Sequence, residues 1–176
     1  TDSYTLLTKF KSLNNVKITM VGDIKHSRVA RSNILLLSKL GAKITLCGPK
    51  SLIPKSLSNT SANKSEWLNL KNICIEYNLN KAIKNTDVIM ALRMQTERQN
   101  AKNIPSLQEY AKKYQITNRH LKTVKKTCLL MHPGPVNEGV EISKEVAESS
   151  LSQIEEQVSN GVAVRMAILE LIYLNK

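Results

Sequence analysis

The 176 residues are 41% hydrophobic, 23% charged and only 4% aromatic. Six Gly and five Pro exclude a collagen-like or low-complexity chain, the apolar fraction excludes disorder, and the length suits one domain, or two very small ones, with a real core. Twenty-six Lys and Arg against 14 Asp and Glu give a net charge of +12, but the cations are spread along the chain without an aromatic ladder, so a solvated surface explains them better than a nucleic-acid face.

The chain opens on Thr1 rather than Met, which predicts a processed chain or a segment of a longer one. Val16–Val21 (VKITMV) and Lys43–Cys47 (KITLC) are short apolar, β-branched runs, each followed by Gly, and predict buried strands. Between them Val29, Ala30, Ile34, Leu37 and Leu40 recur at three and four, which predicts a helix over Ser27–Leu40 stopped by Gly41. Strand, helix, strand is a βαβ unit, with parallel strands and a right-handed crossover. Residues 49–65 are rich in Ser, Asn, Lys and Pro and predict loop or short helix. Ile73–Tyr77, Asp87–Leu92 and Thr127–Met131 predict further strands. Residues 105–113, with Pro105 at the start, and 117–125, capped by Thr117, predict helices. From Asn160 to Leu174, apolar residues at 162, 164, 166, 168, 169, 171, 172 and 174 cover nearly a whole helical circumference. Such a helix needs cover on more than one side, and a single sheet supplies only one.

Arg165 and Glu170 interrupt that run, so no membrane span is expected, nor is a secretory leader. Cys47, Cys74 and Cys128 form no CxxC pair and lie in apolar stretches. They predict reduced thiols in core positions and an intracellular setting.

In an open parallel sheet, ligands bind beyond the carboxyl ends of the strands. The first strand is followed by Gly22-Asp23-Ile24-Lys25-His26-Ser27-Arg28, the fourth by Arg93-Met94-Gln95-Thr96-Glu97-Arg98, and the fifth by His132-Pro133-Gly134-Pro135-Val136-Asn137-Glu138-Gly139. These polar, non-repetitive segments share one edge and predict a pocket there. Arg28 and Arg93 carry planar forks suited to carboxylate or phosphate, and Gln95 adds a neutral donor and acceptor. Arg28 also falls in the first turn of a helix, where anions are favoured. The inferred ligand is a small polyanion; the competing reading makes both arginines surface residues paired with Asp23 or Glu97. A dinucleotide site is not supported, because Gly22 is followed by no second or third Gly and the second strand ends in Cys47-Gly48-Pro49. The three His are too scattered for a metal centre, and neither a Walker pattern nor a GxSxG elbow is present. No cofactor is expected.

VGDIKHSRVARSN, ALRMQTERQ, HPGPVNEGVEI and QVSNGVAVRMAILELI closely resemble the C-terminal, aspartate-binding domain of the aspartate carbamoyltransferases, over nearly the whole chain. Related ornithine enzymes typically carry HCLP and SMG where this chain has His132-Pro133-Gly134-Pro135 and Arg93-Met94-Gln95, which favours aspartate. The resemblance implies a three-layer α/β/α Rossmann-like domain with a parallel sheet, the second domain of that fold. It further implies transfer of the carbamoyl group of carbamoyl phosphate to L-aspartate, in pyrimidine synthesis, without metal or covalent intermediate. Arg28 would hold the α-carboxylate, Arg93 and Gln95 the side-chain carboxylate, and Gly134 with Pro135 would contact carbamoyl phosphate through backbone; no catalytic residue is assigned in this half.

The STRTR loop, lysine loop and HPxxQ segment of the family's other half are not in this sequence. Thr1–Thr5 resembles the stretch just after HPxxQ. The implied division is 1–15 as the end of an interdomain linking helix, 16–159 as the aspartate-binding domain, and 160–176 as a helix packing on the missing carbamoyl-phosphate domain. The expected partners are the two substrates, that N-terminal half and, in the full enzyme, a catalytic homotrimer in the cytoplasm or an organelle stroma; neither nucleic acid nor membrane is expected. The alternatives are a carbamoyltransferase of another amine acceptor such as ornithine, and a non-catalytic small-molecule-binding relative.

Overall fold

The structure is a computed structural model that describes residues 1–58, 72–95 and 106–174. Five parallel strands, β1 (Lys17–Val21), β2 (Lys43–Cys47), β3 (Ile73–Ile75), β4 (Val88–Ala91) and β5 (Leu129–Met131), form one sheet in the order β3-β2-β1-β4-β5. The first strand is central, as the doubly wound pattern requires, and the order reverses between β1 and β4. The helices are α1 (Asp2–Phe10), α2 (Arg28–Lys39), α3 (Lys55–Ser58), α4 (Leu79–Ala82), α5 (Leu107–Tyr114), α6 (Asn118–Leu121), α7 (Lys144–Ala147) and α8 (Ile154–Leu174), with a 3-10 turn at Lys50–Leu52.

Period-two alternation divides the strands between two cores. Ile18, Met20, Ile44, Leu46, Val88 and Met90 pack with Leu6 of α1 and Ala30, Ile34 and Leu37 of α2 on one face. Val21, Cys47, Ile89, Ala91 and Leu130 pack with Leu79 and Ala82 of α4, Ile116, Ile142 and Val146 of α7 on the other. Helices therefore cover both faces, and the burial of the central strands, most complete in β4, explains why their sequences read as continuous apolar runs.

The α2 boundaries follow local chemistry. Ser27 Oγ accepts a hydrogen bond from Ala30 N at 3.0 Å, an N-cap, and Gly41 just past the helix takes φ +85°, a conformation that disfavours a side chain. Within α2 the buried Asn33 donates through Nδ2 to Asp2 Oδ2 at 2.6 Å, tying the helix to α1. Helix α5 begins after Ser106, which forms a capping box with Glu109. Pro105 lies outside the described residues.

Several expectations are corrected. The final helix starts at Ile154, six residues before Asn160. Leu151 and Gln153 first pair with Leu130 at the outer edge of β5 (Leu130 N to Leu151 O and Gln153 N to Leu130 O, both 2.8 Å), and Ile154 packs against the second core. Gly161 is thus a mid-helix contact, where a Cβ would lie 3.4 Å from Thr1 Cγ2, and not a helix start. The helix expected over 117–125 spans only Asn118–Leu121, its start fixed by a Thr117–His120 capping box. The second strand spans Lys43–Cys47 as expected, and the other four are shorter by one or two residues at an end. Cys47 and Cys128 are buried, but Cys74 is exposed because β3 is the outermost strand. Burial pushes the Cys47 thiol up to about 12 and the Cys128 thiol up to about 11. No described helix is long and apolar enough to cross a membrane.

Candidate functional site

The segments that carry Arg28, Arg93–Gln95 and Gly134–Pro135 follow β1, β4 and β5, three strands that are neighbours in the sheet. Adjacent strands lie about 4.8 Å apart, so the three segments leave the carboxyl edge side by side. Gly22 makes the first turn possible. Its φ is +134°, and a Cβ there would stand 2.7 Å from the carbonyl oxygen of Leu92, at the end of β4. Only a residue without a side chain lets the two strand ends approach so closely.

Arg28 is the first residue of α2 and exposed, at a helix start with no acidic residue in its first turn. That end of the helix carries partial positive charge, to which Arg28 adds a full one. Nearby, Asp23 turns inward. It is fully buried and accepts from His26 N at 3.1 Å and lies 2.9 Å and 3.0 Å from His26 Nδ1.

Arg93 and Gln95 are half-buried, with the fully packed Met94 between them. Met94 joins Leu52 and Tyr110 in a small apolar cluster that anchors the segment. Gln95 Oε1 is buried and has no hydrogen-bond partner among the described residues. A buried amide in that condition carries a desolvation cost that a ligand can relieve, and a turn of the carboxamide presents its NH2 to a carboxylate instead. Thr96, Glu97 and Arg98 lie outside the described residues.

The loop after β5 is built around His132. Its Nδ1 accepts from Gly134 N at 3.0 Å, while its own backbone N–H donates to Gln157 Oε1 of α8 at 2.8 Å. Gln157 in turn donates through Nε2 to Asp2 Oδ1 at 3.0 Å. Burial, with help from the Arg93 charge, pushes His132 down to about 4, so the imidazole is neutral near pH 7. Because Nδ1 is an acceptor, the ring proton belongs on Nε2, which faces Glu141 Oε2 at 3.9 Å. With its N–H given to His132, Gly134 offers a ligand its carbonyl oxygen, and Pro135 has no N–H to offer. The pair thus presents acceptors, suited to an NH2 group.

Glu141, which the motif reading did not single out, links the two loops. Its Oε1 accepts from Met94 N at 2.8 Å and Asn137 Nδ2 at 2.7 Å, and its Oε2 accepts from Asn137 N at 2.9 Å. Burial raises its pKa against the pull of those donors. Tyr110 was also missed; its hydroxyl is buried without a hydrogen-bond partner among the described residues and lies beside Gly22. A sequence signal existed for Glu141 alone, a carboxylate between two apolar residues, Val140 and Ile142. A groove of about 360 Å³ lined by Lys17, Lys43 and Thr45 lies toward the amino ends of β1 and β2, away from this edge. Among the described residues no group of three or more His, Cys, Asp or Glu is placed to hold a metal ion.

Fold and loop placement together define a doubly wound α/β domain whose carboxyl edge carries fixed cations and paired polar loops. The chain belongs to the aspartate/ornithine carbamoyltransferase family, Asp/Orn binding domain, whose model matches residues 14–172. It is 48% identical over 170 residues to the aspartate carbamoyltransferase catalytic subunit of Dehalococcoides mccartyi, covering 97% of this chain and 50% of that protein. The corresponding subunit of Endomicrobium trichonymphae is 47% identical over 171 residues, with 97% and 51% covered. The chain therefore spans about half the length of these curated relatives. Among solved structures, aspartate transcarbamoylase from Trypanosoma cruzi in complex with phosphate superimposes with TM-score 0.76 at 25% identity, covering 96% of this chain and 53% of that one. Ornithine carbamoyltransferase from Pyrococcus furiosus gives 0.80 at 24% identity, with 96% and 53% covered, a likeness of fold.

Proposed function

We propose that this chain is the amino-acid-binding half of an aspartate carbamoyltransferase. The observation that carries the reading is the identity of 47–48%, over 97% of the chain, with aspartate carbamoyltransferase catalytic subunits, joined to a cationic edge suited to a dicarboxylate. In the reaction the α-amino nitrogen of L-aspartate attacks the carbonyl carbon of carbamoyl phosphate. A C–N bond forms, the C–O bond to phosphate breaks, the nitrogen loses a proton, and N-carbamoyl-L-aspartate and phosphate leave.

Arg28 takes the α-carboxylate, and Arg93 with Gln95 takes the side-chain carboxylate. The carbonyls of Gly134 and Pro135 accept from the carbamoyl NH2. This half contributes position and charge. Orienting two bound reactants lowers a barrier by about 7–11 kcal/mol in favourable cases, and fixed donors at the developing oxyanion add to that.

The division of the chain follows from the same reading. Residues 1–15 end an interdomain helix, 16–159 form the aspartate-binding domain, and 160–176 pack on a carbamoyl-phosphate-binding half. The buried residues of α8 are Gln157 and Gly161, and beyond them its large apolar residues are exposed, which supports a boundary near 160. The complete enzyme is proposed to be a catalytic homotrimer of pyrimidine biosynthesis, in the cytoplasm or an organelle stroma.

The test is a carbamoyl-transfer assay of the chain alone and with a carbamoyl-phosphate-binding half supplied, with aspartate and ornithine as separate acceptors. Turnover with aspartate only when both halves are present is the expected result. Turnover by the chain alone, or with ornithine in preference, would refute the reading.

A further inference from the structure

Glu141 is 1% exposed, and its backbone is tied to Ile116. Its carbonyl oxygen accepts from Ile116 N at 2.9 Å, Ser143 N donates to Ile116 O at 3.0 Å, and Ile142 belongs to the second core. Residues 92–95 after β4 and 132–137 after β5 belong to no helix or strand, and they carry groups proposed to hold the two substrates. Glu141 holds both segments. Met94 N–H, between Arg93 and Gln95, donates to one of its oxygens, and Asn137 N–H, two residues past Pro135, donates to the other. Asn137 Nδ2 completes the link by donating to Glu141 Oε1 at 2.7 Å and to Met94 O at 3.4 Å.

Resting on the function proposed above, we propose that Glu141 is a positioning residue that sets the spacing between the loop binding the aspartate side chain and the loop binding carbamoyl phosphate. The chemistry of the post selects an acid. Its three partners are all N–H donors, so a carboxylate satisfies every one. Glutamine has one acceptor oxygen and must turn its NH2 toward a donor, and alanine leaves all the donors bare. Packing alone gives no reason for a carboxylate here, since an apolar side chain fills a core without the cost of burying charge. The position is useful because it reports to both loops at once: a shift of either is resisted through the same two oxygens.

The test uses the complete enzyme with Glu141→Gln. Two readouts are taken: the aspartate KM, and amide hydrogen exchange at Met94 and Asn137 compared with Ile18–Met20 in β1. A lost charge-assisted bond corresponds to a rise of about tenfold or more in aspartate KM, with exchange at Met94 and Asn137 faster by a similar factor. Strand β1 should keep its protection, and the effects of Glu141→Gln and Arg93→Ala on aspartate KM should be less than additive, because both act on the segment after β4. A purely structural role would speed exchange evenly and leave KM alone. If Glu141→Gln does not fold, Asn137→Ala, which removes only the side-chain strap, carries the same comparison with a rise of about threefold expected. Either readout staying at its wild-type value overturns the assignment. If the wild-type enzyme transfers nothing to aspartate, the functional reading fails and takes the substrate part of this proposal with it; the exchange pattern alone then decides whether Glu141 couples the loops.

Discussion

Arg93 and Gln95 follow β4 two residues apart, and Met94 between them, packed with Leu52 and Tyr110, anchors the segment. Arg93→Ala therefore removes a fixed cation while the anchor stays. In the complete enzyme it should raise the aspartate KM by about 10- to 150-fold, the equivalent of losing about 1.5–3 kcal/mol of charge-assisted hydrogen bonding. Steady-state kinetics in aspartate, with carbamoyl phosphate saturating, checks it. His132 makes a different prediction. Its folded-state pKa of about 4 lies below the usual 6.5, so the unfolded chain binds the proton first as pH falls. The stability from keeping this ring neutral is complete above pH 6.5 and is lost down to about pH 4, on the order of 3 kcal/mol in all. Glu141, raised by burial, works in the opposite sense, so the comparison is with His132→Asn, which keeps Glu141. Denaturant unfolding at pH 7, 5.5 and 4 should show the wild type losing stability relative to that variant. The placement of Arg28, Arg93, Gln95 and Gly134–Pro135 in segments beyond strand ends was legible in the sequence, because each segment follows an apolar run that had to be a strand. The link from Glu141 to Met94 was not, since it spans 47 residues, nor was Tyr110, whose burial comes from packing with the distant Leu52 and Met94.

At the scale of elements, the helices were read most accurately where local chemistry punctuates them. Ser27 and Gly41 bracket α2, and the helix occupies the residues between them to within one or two. Where a boundary depends on a tertiary contact, the reading slipped. The start of α8 is set by Leu151 and Gln153 pairing with Leu130, a non-local event with no periodic signature. Ser27 also joins stability to the site, because Arg28 is the next residue. Ser27→Ala should cost about 1 kcal/mol through the lost cap. In the complete enzyme it should also raise the aspartate KM modestly, as the first turn that carries Arg28 frays. Thermal unfolding and kinetics on the same preparation separate the two effects. Gly22→Ala should be harsher. A methyl 2.7 Å from Leu92 O, at φ +134°, forces the β1 turn away from β4, and a loss of about 1–3 kcal/mol is expected in denaturant unfolding.

For the molecule as a whole, the over-apolar last helix was legible from its circumference alone, and the structure shows its consequence. Met166 is 64% exposed, Leu169 67% and Leu174 69%, on a helix that contacts α1 and β5 and buries only Gln157 and Gly161. Apolar patches beyond a few hundred Å² seldom stay in water. The chain by itself should therefore sediment as dimers or larger species at micromolar concentration, and supplying a carbamoyl-phosphate-binding half should suppress that association. A monomer at high concentration would remove the argument for a partner on α8. The thiols offer a way to watch such events. A thiol-specific maleimide reacts through thiolate, which burial denies to Cys47 and Cys128, whose thiols stand at about 12 and about 11. Cys74, exposed on the outermost strand, is left as the one attachment point among this chain's three thiols. Native protein should take up a single fluorophore per chain and denatured protein three, giving a reporter on β3, the strand at the far edge of the sheet from β5, with no cysteine engineered in or out.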